Sequence, residues 1–275
     1  INKSTNQQIN QSTPMIQTVE NTAFRAVPAA INLQFDGWRL RFNHAATRRA
    51  NSVWPDADLG HHSLVEKLDA VETFYRDHGM APRFQITSAA LPVGLDEVLA
   101  ERGYANTQVN DVQTAQIPQV LAASTTAPAL TLTLTPSWTP AWLDTYCAIE
   151  HVAAHRRPIY DAMWGRVRAA KAFGVVAVDG QPAAVGLCVA DGEWAGLFNI
   201  ATHPDFRRRG AALALIHALA GWASEHRAAN FYLQVRSQNE PALALYERLG
   251  FSTLYQYHYR ELAISCAKNE KANAG

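Results

Sequence analysis

Between Gly196 and Leu219 the chain passes from an apolar, strand-like run, Gly196-Leu197-Phe198-Asn199-Ile200-Ala201, through a basic loop into a helix-like run. The loop reads His203-Pro204-Asp205-Phe206-Arg207-Arg208-Arg209-Gly210-Ala211-Ala212, and the helical run is Leu213-Ala214-Leu215-Ile216-His217-Ala218-Leu219. This is the layout of an anion site at a helix start. The first N–H groups of a helix lack partners within it, and the helix dipole favours negative charge there. Gly210 and Ala212 leave room for a phosphate to approach the backbone, and three arginines add charge.

The surrounding pattern is that of an α/β sheet protein. Leu130–Thr135 alternates strictly as a strand, and helical patterns follow over Pro140–Ala154 and Pro158–Ala172. Strands at Phe173–Val178, Ala183–Ala190 and Glu193–Thr202 are separated by Asp179-Gly180 and Asp191-Gly192, a strong hairpin signal. Helix 211–228, strand 230–236, helix 239–249 and two closing strands between Phe251 and Leu262 complete the order. In helix 239–249, Asn239 suits the N-cap, Glu240 the positive helix end and Pro241 the first turn. Tyr246 lies about two turns from Asn239 on the same face, at the edge of the apolar stripe of Ala242, Leu245 and Leu249.

The basic loop resembles the pyrophosphate-binding signature of the GNAT superfamily of acyl-CoA-dependent N-acyltransferases, Gln/Arg-x-x-Gly-x-Gly/Ala, with Arg207, Gly210 and Ala212 in the defining positions. The segment from Leu233 to Phe251 is similar to that family's next strand, its Asn-initiated helix bearing a Tyr, and its Leu-Gly-Phe ending. The resemblance covers residues 130–260 and implies the mixed-sheet GNAT fold with acetyl-CoA as cosubstrate. It also implies roles. Ile200, Ala201 and Thr202 would pair through their backbone with the pantetheine arm and thioester. Arg207, Arg208, Arg209, Gly210, Ala211 and Ala212, together with Asn239, would clamp the donor. Tyr246 would be the general acid to the departing thiolate; an ordinary tyrosine, with a pKa near ~10, is protonated at neutral pH as an acid must be. No cysteine lies in these motifs, which favours direct attack in a ternary complex over an acyl-enzyme.

The general base is not assigned. Asn199 stands where some relatives carry a carboxylate, and an amide cannot take a proton; Glu193, Glu150, His151, His155 and Asp161 are the nearby alternatives, or a water relay to bulk. Trp138, Trp142, Tyr160 and Trp164 line an acceptor pocket or fill the core.

Composition narrows the class. Of 275 residues, 48% are hydrophobic, and 24 basic side chains balance 24 acidic ones, unlike a dedicated nucleic-acid binder. Cys147, Cys188 and Cys266 are far apart with no C-x-x-C, as in a protein of the reducing cytoplasm, and the ten histidines show no metal-ligand spacing. No apolar run approaches the ~20 residues of a membrane span. A small-molecule amine is the expected acceptor, because the chain shows no charged track for a polypeptide tail. A non-catalytic acyl-CoA-binding regulator and a protein-interaction module are the rival classes.

The polar stretch Ile1–Pro14 is expected to open a disordered extension over residues 1–22, with Met15 as the natural start, and 123–129 has linker chemistry. Residues 23–122 form a fainter copy of the later pattern. Strands at Asp36–Phe42 and Asn51–Trp54, a helix at Leu64–His78, a strand at Arg83–Thr87, a helix at Gly94–Arg102 and a strand to Ile117 lack the phosphate loop. The expectation is a tandem GNAT protein with a degenerate, cofactor-free first half and a catalytic domain over 130–275.

Overall fold

The computed structural model describes residues 3–123 and 130–263. In chain order the elements are α1 (Lys3–Ala26), β1 (Ile31–Phe35), β2 (Trp38–Phe42), β3 (Val53–Trp54), α2 (Leu64–Asp77), β4 (Arg83–Thr87), α3 (Leu95–Glu101), β5 (Ala105–Gln116) and α4 (Ile117–Ala122). They continue with β6 (Leu130–Thr135), α5 (Pro140–Ile149), α6 (Arg157–Gly165), β7 (Ala170–Val178), β8 (Gln181–Asp191), β9 (Trp194–Thr202), α7 (Ala211–Glu225), β10 (Asn230–Arg236), α8 (Glu240–Arg248) and β11 (Ser252–Glu261). Residues 124–129 of the expected linker, and Cys266, lie outside the described residues.

Two compact units emerge, and neither is continuous in sequence. Among the described residues, the first combines residues 3–30 with 87–89 and 109–257; the second takes 31–86, 90–108 and 258–263.

In the first unit the strand order is β11–β5–β10–β9–β8–β7–β6, with β5 entering through residues 109–116 and β11 through 252–257. Neighbours from β6 to β9 are antiparallel, β9 and β10 are parallel, and β10 pairs antiparallel with β5 from Asn230↔Gln116 to Arg236↔Asn110. The sequence suggested two closing strands after Phe251, but β11 runs unbroken from Ser252 to Glu261, and β5 takes the place beside β10.

Period-two alternation splits the residues of β7 between two layers. Phe173 meets Trp142 and Trp164 on one face, while Gly174 meets Leu215 of α7 on the other. A Cβ at Gly174 would stand 2.4 Å from Leu215 Cδ1, and one at Gly186 would stand 2.6 Å from Ile200 Cδ1 and 3.0 Å from Leu215 Cδ2. These two glycines let α7 sit low on β7 and β8. Leu215 is fully buried, and Leu134 Cδ2 would also stand 3.1 Å from a Cβ at Gly174. Gly174→Ala is therefore expected to cost ~1–3 kcal/mol through overpacking, read as a lower urea midpoint with an unchanged slope.

Most of the stretch expected to lack fixed structure belongs to α1. Ile16, Val19, Glu20, Ala23 and Ala26 recur at helical spacing and are buried, and Tyr255 Oη donates to Glu20 Oε1 at 2.6 Å. Burial of this stripe outweighs the weak helix propensity of its polar residues.

The second unit orders its strands β1–β2–β3–β4–β11–β5, using residues 258–261 and 105–108 of the last two. Asp36-Gly37 joins β1 to β2 as a hairpin, and Trp38, Leu40, Phe84 and Ile86 form a core with Leu68, Val71 and Tyr75 of α2 and Leu95 and Leu99 of α3. The start of α2 is closed by its own side chains. Ser63 and Glu66 form a reciprocal capping box, and Asp36 accepts from the N–H groups of His61 and His62 at 3.1 and 3.3 Å.

Candidate active site

The site begins with a defect in the sheet. Between β8 and β9 the register shifts, so that Asn199 and Ile200 together oppose Gly186, and Asn199 takes a left-handed φ of 54°. Opposite the bulge, the Gly186 carbonyl accepts from Trp142 Nε1 at 3.0 Å. An indole from α5 thus satisfies a group that the irregular ladder meets poorly.

On the other side of β9, pairing with β10 ends at Leu197↔Leu233, although β9 runs on to Thr202 and β10 to Arg236. The two parallel strands part over Ile200, Ala201 and Thr202, leaving a wedge edged by backbone N–H and C=O groups.

Past the wedge, a 3-10 turn at Pro204–Phe206 leads into Arg207 in extended conformation, Arg208 at φ 58° and Gly210 at φ 81°. Gly210 is the N-cap of α7 and supplies no side chain to cap it, while its carbonyl already accepts from the Ala214 N–H. The N–H groups of the first turn, at Ala211 and Ala212, are left for an outside acceptor. Arg207 and Arg208 are exposed and make no ion pair among the described residues. Arg209 is directed elsewhere, pairing with Asp179 at 3.0 Å and lying over Phe206 at 5.6 Å.

Asn239 caps α8, its Oδ1 accepting from the Ala242 N–H at 3.4 Å. The turn before it is anchored by Asp111 of β5, a buried carboxylate that accepts from Ser237 Oγ at 3.0 Å and Gln256 Nε2 at 2.6 Å. No local sequence signal marks Asp111, because its partners lie more than a hundred residues away. Two turns into α8, Tyr246 is 7% exposed with its ring 5.7 Å from Phe251. Its hydroxyl makes no hydrogen bond among the described residues, and burial pushes its pKa up to about 12.

The base candidates do not converge. Glu193 is exposed in the turn before β9, and nine strand residues, ~30 Å, separate that turn from the basic loop. Glu150 caps the end of α5, His151 and His155 are exposed in the connection to α6, and Asp161 accepts from Trp138 Nε1 at 2.7 Å. Trp142, Tyr160 and Trp164 are buried with Tyr146 and Phe173 in one aromatic cluster, its closest pair Trp142–Trp164 at 4.8 Å between ring centres. They are core. Trp138 is half-buried.

Residues 13–260 match the family described as "Probable histone acetyltransferase Rv0428c C-terminal". The uncharacterized N-acetyltransferase YobR of Bacillus subtilis (strain 168) is 30% identical over 246 residues, 89% of this chain and 98% of that one. The ribosomal protein bS18-alanine N-acetyltransferase of Escherichia coli (strain K12) is 45% identical over 58 residues, 21% of this chain and 39% of that one. Among solved structures, a GCN5-related N-acetyltransferase from Kribbella flavida superposes with a TM-score of 0.65 at 13% identity, covering 89% of this chain and 94% of the other. A tandem GNAT protein from the clavulanic acid biosynthesis pathway gives 0.61 at 13% identity, covering 77% and 74%. Fold, wedge and loop together define a GNAT-type N-acetyltransferase. The chain belongs to the Rv0428c C-terminal family of acetyltransferases. No helix among the described residues is long and apolar enough to cross a membrane.

Proposed function

We propose that this protein transfers an acetyl group from acetyl-CoA to a primary amine of a small molecule, in the cytoplasm, with one donor site per chain. The observation that carries the donor assignment is the start of α7: a left-handed Gly210 without a capping side chain, beside two exposed, unpaired arginines. Such a helix start receives a diphosphate through backbone N–H groups. Arg207, Arg208, Gly210, Ala211 and Ala212 fit that role, and Arg209 fits it on release from Asp179. The corresponding helix start in the other unit, at α2, is filled by Ser63, Glu66 and Asp36, which supports a tandem protein with a cofactor-free half. The free thiols Cys147 and Cys188 are in keeping with a reducing compartment.

Acetyl-CoA, when bound, supplies an electrophilic thioester carbonyl and a thiolate leaving group. The chain does the rest. The wedge between β9 and β10 offers strand-edge hydrogen bonds at Ile200, Ala201 and Thr202, and Asn239 caps the start of α8, the helix that carries Tyr246. Tyr246 keeps a proton on Oη and gives it to the departing sulfur. The base candidates among the described residues are spread over separate elements, and the amine loses its own proton to water. The unbonded hydroxyl of Tyr246 favours an enzyme over an acyl-CoA-binding regulator or an interaction module. A second reading, a protein α-amine as acceptor, is favoured by the likeness to the bS18-alanine enzyme.

The test is calorimetric titration with acetyl-CoA together with thiol release against amines and an alanine-terminated peptide. Tyr246→Phe is expected to lower kcat by about 10²–10⁴ while leaving acetyl-CoA affinity within about two-fold. Because the phenol titrates near 12, its acid form persists as pH rises, so it adds no alkaline fall in rate below about pH 11. An unchanged kcat in the Phe variant removes Tyr246 from the acid role.

A further inference from the structure

Gln234 is the first residue of β10 beyond the last β9 pair, Leu197↔Leu233. Its neighbours Leu233 and Val235 belong to the core under α7, so by strand alternation Gln234 projects to the opposite face with Tyr232. There the Tyr232 ring lies 5.9 Å from Phe198, the β9 residue just before the bulge. Gln234 therefore stands at the point where the strands part.

Its amide is half engaged. Tyr257 Oη donates to Gln234 Oε1 at 2.8 Å, which orients the group, while Nε2 is buried and makes no hydrogen bond among the described residues. A buried amide donor left without an acceptor is costly, and such groups persist where function calls for them. The donor selects its own partner. The ammonium form of an acceptor carries only N–H groups, and the attacking amine must turn its lone pair to carbon, so neither satisfies Nε2. A carbonyl oxygen does, and does so better as negative charge grows on it.

We infer that Gln234, held by Tyr257, donates a hydrogen bond through Nε2 to the acyl carbonyl oxygen of the bound thioester. This rests on the acetyl-CoA reading above and makes Gln234 a substrate-contacting residue on the strand opposite Ile200 and Ala201. No general base is implied.

The test needs no acceptor. The full chain is titrated calorimetrically with acetyl-CoA and with S-ethyl-CoA, a thioether that keeps the nucleotide, the arm and the two-carbon tail but has no carbonyl. Wild-type protein is expected to bind acetyl-CoA about ten-fold more tightly than the thioether, the size of one good hydrogen bond. In Gln234→Leu and Gln234→Glu the ratio falls to about one. Gln234→Glu still accepts from Tyr257 and so preserves the local packing, and a general loosening weakens both ligands alike and leaves the ratio standing. Discrimination that survives in both variants, or is absent from the wild type, overturns the contact and leaves the donor reading intact. A wild-type protein that binds neither compound overturns the donor reading, and the contact falls with it.

Discussion

A protein carrying Arg207→Ala together with Gly210→Glu will bind acetyl-CoA at least about a hundred-fold more weakly than the wild type, with little change in melting temperature. Two effects combine. At φ 81° and ψ 0°, position 210 lies in the left-handed region, where an L side chain costs about 1–2 kcal/mol and shifts the loop. The glutamate also sets a carboxylate over the N–H groups of α7, where it stabilises the helix but competes with and repels an incoming diphosphate. Loss of the Arg207 guanidinium removes a charge-assisted bond of roughly 1.5–3 kcal/mol. With the repulsion at 210 added to the lost arginine bond, the loss reaches the ~2.7 kcal/mol equivalent to a hundred-fold. The fall in stability stays small because Arg207 is exposed and unpaired and the glutamate's place at the positive end of α7 offsets part of the strain at 210. Calorimetric titration beside thermal melting gives the answer, and affinity within three-fold of wild type would remove the loop from donor binding.

The fragment 130–275, cut where the sequence suggests a boundary, will not fold to a cooperative domain. It lacks β5, whose residues 110–116 hydrogen-bond to β10 along its whole length. It also lacks α4, whose Ile117 N–H donates to the Ala229 carbonyl at 2.9 Å and whose Ile117 and Val120 are fully buried. Val112, Ile117 and Val120 alone contribute about 1.5–3 kcal/mol each on burial. That is comparable to the entire 5–15 kcal/mol of a typical domain, before the stripe of α1 and the exposed flank of β10 are counted. Circular dichroism across a thermal ramp distinguishes the outcomes. The full chain is expected to melt in a sharp transition and the fragment to aggregate or change gradually, and a cooperative melt of the fragment would show that β5 is dispensable.

Where structure is set by neighbours in the chain, it could be read from the chain. Asp179-Gly180 and Asp191-Gly192 turn where expected, β4 and β10 occupy the expected residues, and Asn239 caps α8. The alanines at 169, 170 and 172 do not distinguish helix from strand, so α6 ends at Gly165 and β7 begins at Ala170, earlier than the pattern suggested. Strand β1 differs from the expected strand Asp36–Phe42: Asp36 sits in the hairpin between β1 and β2, where its Asp-Gly pair turns the chain. In α1 the apolar stripe is thin, and only packing reveals it. The placement of β5 has no local signature at all. At the site, the loop and Tyr246 were legible because short spacing encodes them. The bulge, the Trp142 indole on Gly186, Asp111 and the Gln234–Tyr257 pair were not, since each depends on residues brought together from distant strands.

The interleaving of β5 also has a consequence in time. Its residues 110–116 leave the ribosome more than a hundred residues before the β10 segment that pairs with them. At ~5–20 residues per second, that is roughly 6–25 s of waiting. Throughout that interval the nascent chain holds a long strand beside Ile117 and Val120 with its permanent neighbour not yet made. The last of the described strands to emerge, β11, supplies residues to both units, so neither has its full set of strands until it is made. Both units of this acetyltransferase thus reach their full strand complement late in synthesis, after β5 has had to wait for its neighbours β10 and β11.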